Sequence, residues 1–138
     1  MDEPGKGDSA MHDKVILNER DALFYAVDWG RTKGLVAKES VACSDKVQVR
    51  ITEYLPGYVH KLHVHPTQDE IIFVLEGKGA SETASGKREI GVGDVVLVPA
   101  GVEHATYNPN SEVMRAIIIK SPPDSPPQRA VLAEDPGI

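Results

Sequence analysis

Through most of the middle of the chain apolar and polar residues alternate with a period of two, and no amphipathic helix of useful length stands out. In VQVRITEYL, residues 47–55, Val47, Val49, Ile51 and Leu55 fall on or near one face and Gln48, Arg50 and Thr52 on the other. Pro56-Gly57 then turns the chain into HKLHVH, and the apolar run 71–75 reads as a returning strand. Further strand candidates are 14–17, 24–27, 35–37, 80–83, 89–92, 95–98, 104–108 and 113–120. The stretch 95–98, VVLV, reads as buried, and 18–22 as a single helical turn. Turn signals separate the strands at Gly77 and Gly79, at Ala84-Ser85-Gly86-Lys87 and at Pro99-Ala100-Gly101. Many short, evenly spaced strands predict an all-β domain over residues 14–120, a double-sheet jelly roll or barrel. Residues 1–13, rich in Gly, Pro and charge, read as a flexible arm. Residues 121–138 hold five of the ten prolines, so that tail is not expected to extend the sheet far.

The chemistry concentrates in two segments. His63 and His65 stand one residue apart, so on a strand both leave the same face. Glu70 follows a short turn containing Pro66, which aims two imidazoles and a carboxylate at one point, and His104 offers a fourth donor. Singly, each is an ordinary surface residue. Together, three neutral imidazoles and one carboxylate suit a borderline divalent metal.

Both segments match the two signatures of the cupin family. The first, G(X)5HXH(X)4E(X)6G, is met by Gly57, His63, His65, Glu70 and Gly77; the second, G(X)5PXG(X)2H(X)3N, by Gly93, Pro99, Gly101, His104 and Asn108. The chain therefore resembles a small single-domain cupin over residues 47–120. That resemblance implies a double-stranded β-helix barrel with His63, His65, Glu70 and His104 as ligands to one divalent transition metal ion: iron, manganese, nickel, cobalt, copper or zinc. It is specific for fold and metal site and weak for reaction, because the family hosts many chemistries.

Composition narrows the partners. A formal net charge of −6 argues against a nucleic-acid surface. No apolar run approaches the roughly 18 residues that span a bilayer. MDEPGKGDSAMH lacks the apolar stretch of a secretory signal, and Cys43 has no second cysteine to pair with, so a cytoplasmic location is expected, with Cys43 as a small packing residue. Small cupins commonly pair, and a strand edge invites a symmetric partner, so a homodimer is expected, with the strands before Val47 crossing to the second subunit.

Around the expected metal, His60 is the candidate catalytic residue. Strict alternation would turn it outward and Lys61 inward. The resemblance to germin-type oxalate oxidases and oxalate decarboxylases implies instead a polar side chain facing the metal-bound substrate there, able to shuttle protons. Lys61, Gln68, Tyr107 and Arg115 are further candidates for substrate binding, Arg115 because its planar fork fits a carboxylate. Ile72, Val74, Val96 and Val98 are expected to line the pocket, which suits a small organic substrate. Three function classes follow: a dioxygenase-type oxidoreductase first, then an isomerase, lyase or cyclase using the ion as a Lewis acid, then a non-catalytic ligand-binding module.

Overall fold

The computed structural model describes residues 15–124. The arm at 1–13 and residues 125–138 of the tail lie outside them. After a single 3-10 turn at Glu19–Asp21, capped by the Asn18 side chain, ten strands follow. They are β1 (Tyr25–Val27), β2 (Gly30–Val36), β3 (Gln48–Tyr54), β4 (Val59–His63), β5 (Asp69–Glu76), β6 (Lys78–Thr83), β7 (Gly86–Gly91), β8 (Val95–Val98), β9 (His104–Tyr107) and β10 (Met114–Ser121). All named strand pairs are antiparallel, and the strands form one sheet in the order β1-β2-β3-β10-β5-β8 and another in the order β4-β9-β6-β7. The chain is all-β, as the alternation predicts.

Between the sheets Trp29, Tyr54, Ile72, Val74, Ile90, Met114, Ala116 and Ile118 pack into one cluster. Each fully buried Ile or Val there stabilises the fold by about 1.5–3 kcal/mol. Gly77 connects β5 to β6 at φ 74°, a left-handed conformation, and a Cβ there would run into the Val113 carbonyl oxygen. Asn108 ties the same end of the barrel: its Nδ2 donates to the Tyr54 and Glu112 carbonyls, both at 2.8 Å.

The structure corrects three expectations. Residues 15–17 form no strand, whereas Gly30–Val36, mostly polar and broken by two glycines, does. It earns that place through its neighbours, since β2 pairs with β3 and the Thr32 hydroxyl meets that of Thr52 at 2.9 Å. Residues 95–98 are not buried throughout, because β8 is a sheet edge with Val95 60% and Leu97 61% exposed and Val98 buried. Cys43 is exposed rather than packed. Within the chain β1 pairs with β2 and β2 with β3, which leaves β1 at the edge of the sheet.

The phase of β3 decides what the barrel encloses. Gln48, Arg50, Thr52 and Tyr54 are buried, and they stand opposite Lys120, Ile118, Ala116 and Met114 of β10. The polar half of VQVRITEYL therefore lines the interior, and its apolar half shares the other face with Ile117, Ile119, Ile71 and Phe73, where Ile51 is buried too.

Candidate metal centre

Four elements deliver the candidate ligands. His63 ends β4, His65 lies two residues beyond it, Glu70 is the second residue of β5, and His104 opens β9, in register with His63. Two bonds tie the loops that carry them: the Gly101 amide donates to the His65 carbonyl at 2.9 Å, and the Ala100 amide to Asp69 Oδ1 at 2.9 Å. The Pro99-Ala100-Gly101 turn thus fixes the spacing between the two signature segments. The four residues are buried, and their donor atoms lie within 4.8 Å of one another.

Backbone carbonyls set the tautomers. His63 Nδ1 donates to the Lys61 carbonyl at 2.5 Å and His104 Nδ1 to the Val102 carbonyl at 3.0 Å. A carbonyl only accepts, so each Nδ1 carries the proton and each Nε2 is left for the cavity. His63 Nε2 is buried without a hydrogen-bond partner among the described residues, as is His65 Nδ1, while His65 Nε2 lies beside Glu70 Oε1 without hydrogen-bond geometry. Such orphaned nitrogens are costly unless something binds them. Glu70 Oε1 lies 3.1 Å from both His65 Nε2 and His104 Nε2. Two converging orphan sites, a fourth nitrogen and a carboxylate fit a divalent ion, and the set could hold one.

Electrostatics differ across the cluster. Burial, only partly offset by the Lys61 carbonyl, pushes His63 down to about 4. Burial also holds His60 well below the usual imidazole value, with His63 adding to it. For His104 burial works downward too, but the Glu70 carboxylate outweighs it and raises the pKa. Burial opposes the charge on Glu70, yet His104 and His65 hold its carboxyl well below the carboxylate range.

The other candidates separate cleanly. His60 is buried inside the barrel, three residues before His63, because the β4–β9 register slips between them. Its ring stacks on Trp29 at 3.6 Å and on His63 at 4.0 Å, and its Nε2 has no partner among the described residues. Gln68 is buried too, its Nε2 donating to Asp124 Oδ1 at 2.8 Å and to the Pro122 carbonyl at 2.9 Å. Lys61 is exposed on the outside of β4. Tyr107 turns to the outer face of its sheet, its hydroxyl donating to Glu82 and Lys87 lying over its ring. Arg115 sits on the outer face of β10, paired with Glu53 at 2.8 Å and Glu19 at 2.6 Å. Strand parity puts Tyr107 and Arg115 outside and the register slip in β4 does so for Lys61, so the structure does not bring these three to the cluster. The aliphatic candidates Ile72, Val74 and Val98 are buried on the inner face, with Val96 partly so.

Sequence reasoning missed several interior groups. Lys120 stands opposite Glu70 in the β10–β5 register, fully buried and 3.6 Å from Asp124. Burial lowers its pKa. Asp124 also accepts from Gln48 Nε2 at 3.2 Å, so the first residues after β10 pack onto the barrel. Trp29 and Tyr54 complete the far wall, the Tyr54 hydroxyl bonded to Thr106. The phase Met114, Ala116, Ile118, Lys120 carried a signal for Lys120; nothing local marked Trp29.

A model of the cupin domain matches residues 50–120. Germin-like protein 3-7 of Oryza sativa subsp. japonica is 32% identical over 101 residues, covering 67% of this chain and 43% of that protein. The chain spans roughly a third to a half of the length of the curated relatives it matches. Among solved structures, KdgF from Halomonas sp. superposes with a TM-score of 0.71 at 18% identity, covering 82% of this chain and 97% of that one. A sugar phosphate isomerase of the cupin superfamily from Silicibacter pomeroyi gives 0.64 at 19%, covering 81% and 77%. Both likenesses concern the fold. With the domain model matching half of the chain and both histidine segments on paired neighbouring strands of a two-sheet barrel, this chain belongs to the cupin family.

Proposed function

We propose that the protein is a metal-dependent enzyme acting on a small organic substrate, and that its reaction moves a proton, as in an isomerase or lyase. In this reading His63, His65, Glu70 and His104 hold the divalent transition ion and His60 is the general base. The observation that carries it is the His60 imidazole: buried, held neutral by its lowered pKa, and presenting an unpartnered Nε2 beside a ligand ring. A bound ion would supply Lewis-acid polarisation of a substrate carbonyl. The sandwich between Trp29 and His63 fixes the His60 ring, so its nitrogen needs no reorganisation to receive a proton. Ile72, Val74 and Val98 keep water from competing. The shared fold of the sugar phosphate isomerase agrees with this class of chemistry.

The dioxygenase reading keeps one observation of its own, since a three-nitrogen, one-oxygen donor set also suits iron. One experiment separates the classes. The protein is loaded in turn with iron, manganese, nickel, cobalt, copper and zinc and assayed against small carbonyl substrates under nitrogen and under air, as wild type and as His60→Gln. Turnover under nitrogen, falling about a hundredfold in His60→Gln with metal content unchanged, is expected. Turnover only with oxygen uptake would replace this reading by the dioxygenase, and ligand binding without turnover by a binding module. No ion retained at all would overturn the metal centre.

A homodimer belongs to the same proposal, and beside the early strands a second surface supports it. The outer face of the six-stranded sheet carries Ile71, Phe73, Val95, Leu97, Ile117 and Ile119, an apolar area suited to a second copy of itself.

A further inference from the structure

The six-stranded sheet ends at β8 and the four-stranded sheet at β7, and between these two edges a cavity of about 420 Å³ opens. Ser81, Thr83, Lys87, Arg88, Ile90 and Val96 are among the residues that line it. Strand parity sorts them. Ile90 belongs to the cluster between the sheets, so Arg88, two residues earlier on β7, shares its inner face. Lys87 has the opposite parity, its Nζ lying over the Tyr107 ring on the outer face. Register then places Arg88 in one row across the sheet: Arg88 opposite Ser81, Ser81 opposite Thr106, and Thr106 opposite His60. In the neighbouring row Thr83 stands opposite His104, which in turn stands opposite His63. On the facing wall Val96 pairs with Ile72, and Val98, two residues on, with Glu70. Both walls of the cavity therefore adjoin strands that carry candidate metal ligands.

Against a net charge of −6, Lys87 and Arg88 make this opening locally basic. Arg88 is exposed at it and pairs with no carboxylate among the described residues. Asp94, the carboxylate of the lining, sits in the turn between β7 and β8 and accepts from the Gly91 amide at 2.7 Å. We propose that Arg88, with the Ser81 hydroxyl beside it, binds an anionic group of the substrate, a carboxylate or a phosphate, and orients the rest of that molecule along the row toward His60 and the metal centre. This rests on reading the His/Glu cluster as a metal-dependent site, and it names the substrate class as small organic anions. The planar fork of an arginine suits either group, since both offer paired oxygens. From β7 to β9 is two strands, about 10 Å, which an extended arginine side chain and a small substrate cover together.

The test uses the full chain loaded with cobalt, whose visible absorbance reports a hydroxamate on the ion. Acetohydroxamate is the uncharged probe; phosphonoacetohydroxamate and succinic monohydroxamate add a phosphonate or a carboxylate at the far end. Wild type is expected to bind at least one anionic probe about tenfold more tightly than acetohydroxamate, and the tighter of the two identifies the group. Arg88→Gln, at an exposed position, is expected to lose that preference while binding acetohydroxamate as wild type does. Lys87→Gln removes the same charge from the outer face and is expected to keep the preference within about twofold. The proposal is overturned if neither anionic probe is preferred, or if Lys87→Gln loses the preference as fully as Arg88→Gln. Should no probe bind because no ion is retained, the metal reading fails by itself, and calorimetric titration of the chelator-treated protein with inorganic phosphate decides. Phosphate binding that Arg88→Gln abolishes and Lys87→Gln spares keeps the anion site; binding indifferent to Arg88, or none at millimolar concentration, removes it.

Discussion

His60 and His63 lie three residues apart on one strand, yet both rings are buried on the inner side and stack, because the register slips between them. Side chains at this scale explain the expected pH response. In the chelator-treated protein the unfolded chain takes a proton on each histidine below about pH 6.5, while folded His63 stays neutral to about pH 4 and His60 is held low as well. The unfolded state then binds more protons, so stability falls as pH drops from 6.5 toward 4, by about 3 kcal/mol from His63 alone. His104 works the other way: its contribution is complete below pH 6.5 and fades as pH rises through its raised value. Denaturant midpoints between pH 4 and 8 will show a net loss on acidification; a rise toward pH 5 would contradict the assignment of two low histidines against one high. Metal affinity should follow His104, which must shed its proton to become a ligand, so affinity weakens about tenfold per pH unit below that pKa. Zinc titrations at several pH values check the slope. His104→Gln removes one ligand nitrogen and is expected to weaken zinc at least about a hundredfold. Arg115→Ala, by contrast, breaks only outer-face ion pairs and should cost about 1 kcal/mol with metal binding unchanged, which one melting curve and one zinc titration will check.

Among the elements, β3 and β10 repay a closer look at phase. VQVRITEYL alternates well enough to be recognised as a strand, but alternation does not say which half points inward. The usual assumption sends apolar residues to the core; here Gln48, Arg50 and Thr52 go in, because the barrel encloses charge, with Lys120, Asp124 and Glu70 beside them. Short strands such as β2 were hard to read for a related reason, since Gly30–Val36 draws its strand character from hydrogen bonds to β3 rather than from β-branched residues. The turn elements were easier. Gly77 occupies a left-handed position against the Val113 carbonyl, so Gly77→Ala is expected to cost about 2 kcal/mol or more, measurable as a lower urea midpoint with unchanged slope. A loss below a few tenths would mean that the β5–β6 connection is free to rearrange.

Taken whole, the molecule encloses buried charged groups beside its apolar cluster and also carries apolar side chains on one outer sheet face. Ile71, Phe73, Ile117 and Ile119 form that face, with Val95 and Leu97 at its edge. If a second copy covers it, Leu97→Asp will shift light scattering from twice the chain mass to the chain mass at micromolar concentration; an unchanged mass would place the contact elsewhere. A tightly held ion should also act on the whole fold: at free zinc a hundredfold above Kd the native state gains about 2.7 kcal/mol, raising Tm by on the order of 10 °C. No helix among the described residues is long and apolar enough to cross a membrane. By itself the sequence determined the strand-rich fold, the two signature segments and the identity of four donors that converge, because alternation and fixed spacings are local properties of a chain. Tertiary structure alone decided that Lys61, Tyr107 and Arg115 face outward, that His60 enters through a register slip, and that Arg50 and Lys120 lie inside. The physical reason is that each depends on how one strand is registered against another, and register is set by the packing of both sheets together.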